Sequence, residues 1–134
     1  MRPEAAAFLD KARECLAKAD GMLDRWPDEA GRAAYLAGLH AAQALIVEST
    51  GKLVKTHRGV QRELARLTKD TPNFDLELRA FLGRTYNLKA IADYQTGPGF
   101  KVSPELATAA IETAKRFVAK MVELVEDAVG SAPP

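Results

Sequence analysis

A histidine between two basic residues gives the clearest chemical signal in this sequence. Lys55 and Arg58 flank His57 closely, and Thr56 directly precedes it as a suitable N-cap for a helix that starts there. The first turn of a helix carries unpaired N–H groups and a partial positive charge, so a phosphate or nucleotide could bind at this point. A solvated basic turn with a capping threonine fits the same residues, and the sequence leaves both interpretations open.

A second polar group follows at Lys89, Asp93 and Tyr94, on neighbouring turns of one predicted helix. Lys89 and Asp93 are four residues apart, a spacing typical of a surface ion pair that contributes about 0.2–0.5 kcal/mol. The alternative is a polar cluster that faces a groove between two subunits. Both interpretations remain open from the residues alone.

Metal and cofactor chemistry has little support in the sequence. There is no Cys/His cluster with zinc spacing and no Glu-x-x-His pair of the kind that di-iron bundles use, so we expect no metal and no cofactor. His40 lies in an almost wholly apolar segment, where a hydrogen-bonded core histidine is more common than a catalyst. Cys15 is the sole cysteine, which excludes an intrachain disulfide and is typical of a reducing, cytoplasmic setting.

Composition sets the class of protein. The chain has 134 residues, of which 47% are apolar, enough for one domain with its own core. No apolar run approaches the roughly 20 residues of a membrane span, so we expect no membrane association. The 19 basic residues nearly balance the 18 acidic ones, which argues against a general nucleic-acid coat but allows a local basic site.

The elements that must position these residues are helices. Apolar periodicity and breakers predict about five helices and no strand, over residues 3–23, 28–50, 57–69, 73–94 and from 104 onwards. Local signals include Asp28 as an N-cap, Gly51 as a stop and Ser103-Pro104 as a start, and Leu106 is expected to face inward. We predict an all-α, single up-down helical bundle over residues 1–129 with a disordered tail at 130–134.

Three stretches carry a resemblance to a known family. They are the run from Arg32 to Ile46 with its His-Ala-Ala step, the Lys-Thr-His-x-Gly-Val signature within residues 51–60, and Lys89 to Tyr94, which ends in Asp-Tyr. Their order and spacing resemble a bacterial and archaeal family of the HEPN superfamily, the higher eukaryotes and prokaryotes nucleotide-binding domain. The resemblance implies a four-helix bundle plus a short helix.

The resemblance also implies partners and a site. It suggests a homodimer and a component of a toxin–antitoxin-type pair, which binds a nucleotidyltransferase partner, a nucleotide or RNA. The candidate nucleotide- or RNA-binding residues are Lys55, Thr56, His57, Arg58, Lys89, Asp93 and Tyr94. In related toxins a tyrosine near the third motif is nucleotidylated by the partner enzyme, which makes Tyr94 the candidate for modification here.

The departures from the family pattern concern catalysis. Many HEPN toxins carry an arginine, four to six residues and then a histidine, and cleave RNA with that pair. Here no histidine follows Arg79 or Arg84, and Lys89 stands in place of the arginine of the third motif. We therefore name no catalytic residue. The alternatives are a metal-independent ribonuclease with a rearranged site of Lys55, His57, Lys89 and Asp93, or a non-catalytic nucleotide-binding module.

Overall fold

The computed structural model describes residues 1–94 and 101–130 of the chain, and these form five helices. In chain order they are α1 (Pro3–Met22), α2 (Pro27–Thr50), α3 (His57–Leu67), α4 (Leu76–Tyr94) and α5 (Pro104–Gly130). The predicted all-α helical bundle is confirmed, and the described residues contain no strand. The predicted breaker at 95–100 and residues 131–134 of the predicted tail lie outside the described residues.

Helix α2 is the centre of the bundle, as its apolar sequence predicts. It packs most extensively against α1, α5 and α4, and less extensively against α3. Alanine and glycine dominate its buried positions, so neighbouring helices approach closely. At Gly38 the approach is closest: the Phe81 ring of α4 fills the space that a side chain would occupy, and that ring stacks on Phe117 of α5 at 4.9 Å.

Short-range signals fix several helix ends as predicted. Gly51 ends α2 with a positive φ of 75°, and its N–H donates to the Val47 carbonyl oxygen. Thr56 caps α3 by accepting from the Gly59 N–H at 3.0 Å. Ser103 caps α5 by accepting from the Leu106 N–H at 3.1 Å.

Two helix starts differ from the prediction. Helix α2 begins one residue earlier, at Pro27, and the Asp28 carboxylate accepts from the distant Val102 N–H at 2.7 Å instead of capping α2. Helix α4 begins at Leu76 rather than at residue 73, because Asp75 caps it by accepting from the Leu78 N–H. The partner of Asp28 lies 74 residues away in the sequence, so a local capping pattern could not predict it.

The predicted inner face of α5 is wrong at Leu106. Leu106 is 55% exposed, whereas its neighbours Ala107, Ala110 and Ile111 are buried against the rest of the bundle. Burying alanines at this face lets α5 lie close to the small residues of α2, and a leucine would hold the two backbones apart. Among the described helices, none combines the length and the hydropathy that crossing a lipid bilayer requires.

Candidate functional site

The second motif forms the start of α3, and steric crowding explains why it has a glycine at position 59. A Cβ atom at Gly59 would lie 2.7 Å from Thr56 Oγ1 and 2.8 Å from Val54 Cγ1, so any side chain there would displace the cap. Thr56 and Gly59 thus hold the first turn of α3 in one position. His57 occupies the first helical residue of that turn, and its orientation follows from the cap.

His57 is tied to the centre of the bundle by Tyr35 of α2. A hydrogen bond of 2.8 Å joins the Tyr35 hydroxyl and His57 Nδ1, with either group as the donor according to the imidazole tautomer. Tyr35 is buried, and its burial raises its pKa to about 12. Burial also lowers the pKa of His57, so both groups are neutral at pH 7.

Tyr86 of α4 completes this group of rings. Its ring stacks on His57 with 4.0 Å between centroids and meets the Tyr35 ring edge-on at 5.6 Å. Tyr86 is 40% exposed, so it forms the solvent-facing side of the group. We call Tyr35, His57 and Tyr86 the aromatic cluster.

A group of three charged side chains lies one helical turn away on the same two helices. Asp93 of α4 accepts from Lys89 Nζ at 2.6 Å and from Arg32 Nε at 2.8 Å. The hydrogen bond from Lys89, together with Arg32, lowers the pKa of Asp93, and the bond to Asp93 raises the pKa of Lys89. Arg32 and Lys89 are each three residues from a tyrosine of the aromatic cluster, so both groups occupy one region of the surface. We call Arg32, Lys89 and Asp93 the charged triad.

The fold therefore brings the three sequence motifs together. The first supplies Arg32 and Tyr35, the second supplies His57, and the third supplies Lys89 and Asp93. Arg32 and Tyr35 were missing from the predicted site although both lie in the first motif, Arg32 at its start and Tyr35 three residues later. Tyr86 was also missing, and its only sequence signal is its position one turn before Lys89.

Lys55 and Arg58 lie beside the aromatic cluster and are exposed. Neither forms an ion pair with any residue in the described ranges, unlike the cations of the charged triad. The His57 and Arg58 backbone N–H groups belong to the first turn of α3, and no described residue accepts from them. This corner of the molecule thus presents two cations and two N–H donors that no described residue binds.

Tyr94 and His40, the other two residues that the sequence singled out, lie outside the aromatic cluster and the charged triad. Tyr94 is 74% exposed, and its ring centroid is 5.7 Å from Lys89 Nζ. His40 Nδ1 bonds to Gln43 Oε1 at 2.9 Å, while Gln43 Nε2 donates to the Val54 carbonyl oxygen. These contacts agree with the hydrogen-bonded role expected for His40. Through Gln43, His40 helps to hold the loop before α3.

Cavities and metal ligands do not coincide with this region. A groove of about 410 Å³ lies between α4 and α5, and neither the aromatic cluster nor the charged triad contributes to its lining. Across residues 1–94 and 101–130, no three or more His, Cys, Asp or Glu side chains are grouped as ligands for a metal ion. The candidate site is a surface rather than a pocket.

A comparison with known protein families gives a match. The family model described as HEPN domain matches residues 5–125, which is most of the chain and includes all three motifs. No curated protein matches the sequence. The match covers every helix that contributes to the aromatic cluster and the charged triad. This chain belongs to the HEPN domain family.

Proposed function

We propose that this chain is a non-catalytic binding protein whose surface at the start of α3 holds the phosphate groups of a nucleotide. The observation that carries the proposal is a group of donors without a partner among residues 1–94 and 101–130: the exposed side chains of Lys55 and Arg58 and the two backbone N–H groups beside them. Helix N-termini with such donors bind phosphate, and arginine adds a planar, two-pronged contact. The aromatic cluster holds this turn of α3 against the bundle, which lowers the entropic cost of binding.

The alternative of a ribonuclease at the same site is less well supported. A general acid or base works best with a pKa near the operating pH. The contacts of Lys89 and Asp93 move both pKa values away from neutral pH: the pKa of Lys89 is raised and the pKa of Asp93 is lowered. His57 Nδ1 is already bonded to Tyr35, so the other imidazole nitrogen of His57 is the one proton-transfer group left at this site. RNA cleavage needs two such groups.

A calorimetric titration with ATP tests the proposal. We expect the Lys55→Ala/Arg58→Ala variant to bind ATP at least about tenfold more weakly, since a hydrogen bond to a charged group contributes about 1.5–3 kcal/mol. Lys11→Ala/Lys18→Ala, which removes the same charge from exposed positions on α1, is the matched control. Equal affinities for all three proteins, or no ATP binding, would contradict the proposal.

A metal-free RNA-cleavage assay separates binding from catalysis. In the presence of a chelator we expect no cleavage by the wild-type protein. Cleavage that disappears in His57→Ala would replace the proposed binding function with the ribonuclease alternative. Cleavage that persists in that variant would point to a contaminating enzyme or another site.

We further propose a nucleotidyltransferase partner in a toxin–antitoxin-type pair. The three motifs that resemble the toxin relatives support this, and so does the exposure of Tyr94, which leaves its hydroxyl accessible to a modifying enzyme. A tagged pull-down from the native host, followed by mass spectrometry of the captured proteins and of this chain, tests it. A stoichiometric nucleotidyltransferase supports the pair, and a nucleotide adduct on Tyr94 identifies the modified residue. Recovery of the chain alone and unmodified would argue against both.

A further inference from the structure

Helices α4 and α5 both pack on α2 and leave a groove between them on the surface of the bundle. Its volume of about 410 Å³ falls within the range of roughly 300–1,000 Å³ that is usual for small-molecule sites. Neither the aromatic cluster nor the charged triad contributes to its lining, so it is separate from the surface at the start of α3. We call it the α4–α5 groove.

The larger part of the groove lining is apolar. Phe81 and Leu88 contribute from α4, and Leu106, Ala109 and Ala110 contribute from α5. Leu106 is 55% exposed, which is a large fraction for a leucine that stands beside a groove. Covering this surface removes apolar area from water, so the groove favours a ligand with an apolar body.

Most polar side chains of the lining are already engaged. Thr85 Oγ1 donates to a carbonyl oxygen one turn earlier on α4, at 2.8 Å. Thr113 Oγ1 donates to the Glu77 carboxylate at 2.9 Å, and Arg116 Nη1 donates to the same carboxylate oxygen at 3.1 Å. The two hydroxyl hydrogens and the one acidic group of the described lining therefore have partners within the protein.

Arg84 is the exception among the polar lining residues. Its side chain is exposed, and no residue in the ranges 1–94 and 101–130 forms an ion pair or a hydrogen bond with its guanidinium group. A guanidinium group binds a carboxylate through two parallel hydrogen bonds. The described lining thus offers one uncommitted cation, and it offers no second uncommitted donor side chain.

The order of residues along the groove gives a bound ligand a direction. The bond from Thr113 to Glu77 shows that α4 and α5 run antiparallel, so Leu88 lies toward the Leu106 end of the groove. The helix rise places Arg84 about 6 Å from Leu88 and about 10 Å from Glu77 along the α4 axis. An anion on Arg84 therefore has an apolar end of the groove nearby and an acidic end farther away.

From this arrangement we infer that the α4–α5 groove binds a small organic monocarboxylate, with the carboxylate on Arg84 and an apolar body against Leu88 and Leu106. One helical turn separates the cation from the apolar end, which is enough for about one aromatic ring. A nucleotide fits poorly, because its ribose and phosphates carry many polar groups. A protein partner would have to cover roughly 800 Å² of this chain, far more than one turn of apolar groove provides.

A map of amide chemical shifts during a titration with 3-phenylpropanoate tests the inference. We expect a Kd of about 1 mM or tighter, as suits a ligand of this size, with shifts concentrated at residues 84–88 and 106–110. Arg84→Gln should weaken binding about tenfold, because it removes the charged hydrogen-bond donor. The neutral analogue 3-phenylpropanamide should bind the wild type about as weakly as the acid binds that variant.

Two further variants complete the experiment. Leu106→Gln replaces an exposed apolar wall outside the core and should weaken binding of the acid about fivefold. Arg62→Gln removes the same charge as Arg84→Gln from an exposed position on α3 and should bind the acid as the wild type does. Equal binding of acid and amide, wild-type affinity in Arg84→Gln, or no binding of the acid overturns the inference. Arg84→Gln should keep the wild-type affinity for ATP, so the phosphate site stands or falls separately.

Discussion

At the scale of single residues, the Tyr35 hydroxyl joins two elements that the sequence separates. It lies inside the bundle on α2 and bonds to His57 at the exposed start of α3, so the position of the surface turn depends on a core side chain. The steric requirement at Gly59 acts on the same turn from the other side, through Thr56. His57 is therefore held from two directions.

The hydrogen bond from α2 to α3 gives a stability prediction. Tyr35→Phe keeps the ring and removes the hydroxyl, so we expect the free energy of unfolding to fall by about 1 kcal/mol, the usual net contribution of such a bond. Tyr86→Phe is the control, because the Tyr86 hydroxyl has no hydrogen bond to a described residue; its change should stay within about 0.5 kcal/mol. Urea unfolding of both variants measures the difference. Equal losses of unfolding free energy in the two variants would mean that the hydrogen bond between Tyr35 and His57 makes no net contribution to stability.

The lowered pKa of His57 gives a pH prediction. The unfolded chain, with an ordinary histidine pKa of 6.5, binds the proton more readily than the folded chain. The contribution of His57 to stability is therefore complete above pH 6.5 and is lost as the pH falls below it, down through the folded pKa. Urea unfolding of the wild type and of His57→Gln across pH 5–8 checks this. We expect the wild type to lose more stability than the variant on acidification; parallel curves would contradict the assignment.

At the scale of helices, the sequence predicted the elements and their local caps better than their mutual orientation. Gly51, Thr56 and Ser103 act within a few residues of the chain, so their roles were readable. The hydrogen bond from the Val102 N–H to Asp28 spans 74 residues, so no local sequence pattern predicts it. The exposure of Leu106 likewise depends on how closely α5 approaches α2, which side-chain periodicity alone does not determine.

Gly38 gives the sharpest test of how α2 and α4 pack. An added Cβ would overlap the Phe81 ring edge and lie 3.0 Å from Phe81 Cδ2, and that ring is buried and stacked on Phe117. Because the ring has nowhere to move, we expect Gly38→Ala to cost about 1–3 kcal/mol of unfolding free energy despite the better helix propensity of alanine. Thermal unfolding followed by circular dichroism measures it.

Gly21 of α1 provides the matched control for that substitution. Apart from its chain neighbours and the backbone of its own helix, nothing in the described structure lies within 4 Å of the space a Cβ would occupy there, so Gly21→Ala gains only helix propensity. We expect its melting temperature to equal or exceed that of the wild type. If Gly38→Ala were as stable as Gly21→Ala, the close approach of α2 and α4 at Phe81 would be wrong.

At the scale of the whole molecule, the candidate site is the product of the bundle rather than of any one helix. Residues far apart in sequence, Arg32 and Asp93, meet because α2 and α4 pack side by side. The motifs predicted His57, Lys89 and Asp93 as site residues, and the fold adds Tyr35 and Tyr86 between them. Sequence patterns could not add these two tyrosines, because ring stacking depends on the spacing of three helices.

Assembly is the other prediction at this scale. The family resemblance implies a homodimer, and we expect light scattering at micromolar concentration to give a mass twice that of the 14.5 kDa chain. A monomer at that concentration would count against a dimer in which two copies share a binding groove. The binding proposal for α3 does not depend on this result.

The most direct test of the proposed phosphate site at the start of α3 is a map of amide chemical shifts during a titration with ATP. We predict that the shifted resonances concentrate at residues 55–58 and extend to the neighbouring turns at Tyr86 and Lys89. The groove between α4 and α5 near Leu106 and Thr113 should stay unchanged, since it lies outside this surface. Shifts confined to that groove, with residues 55–58 unaffected, would contradict the account.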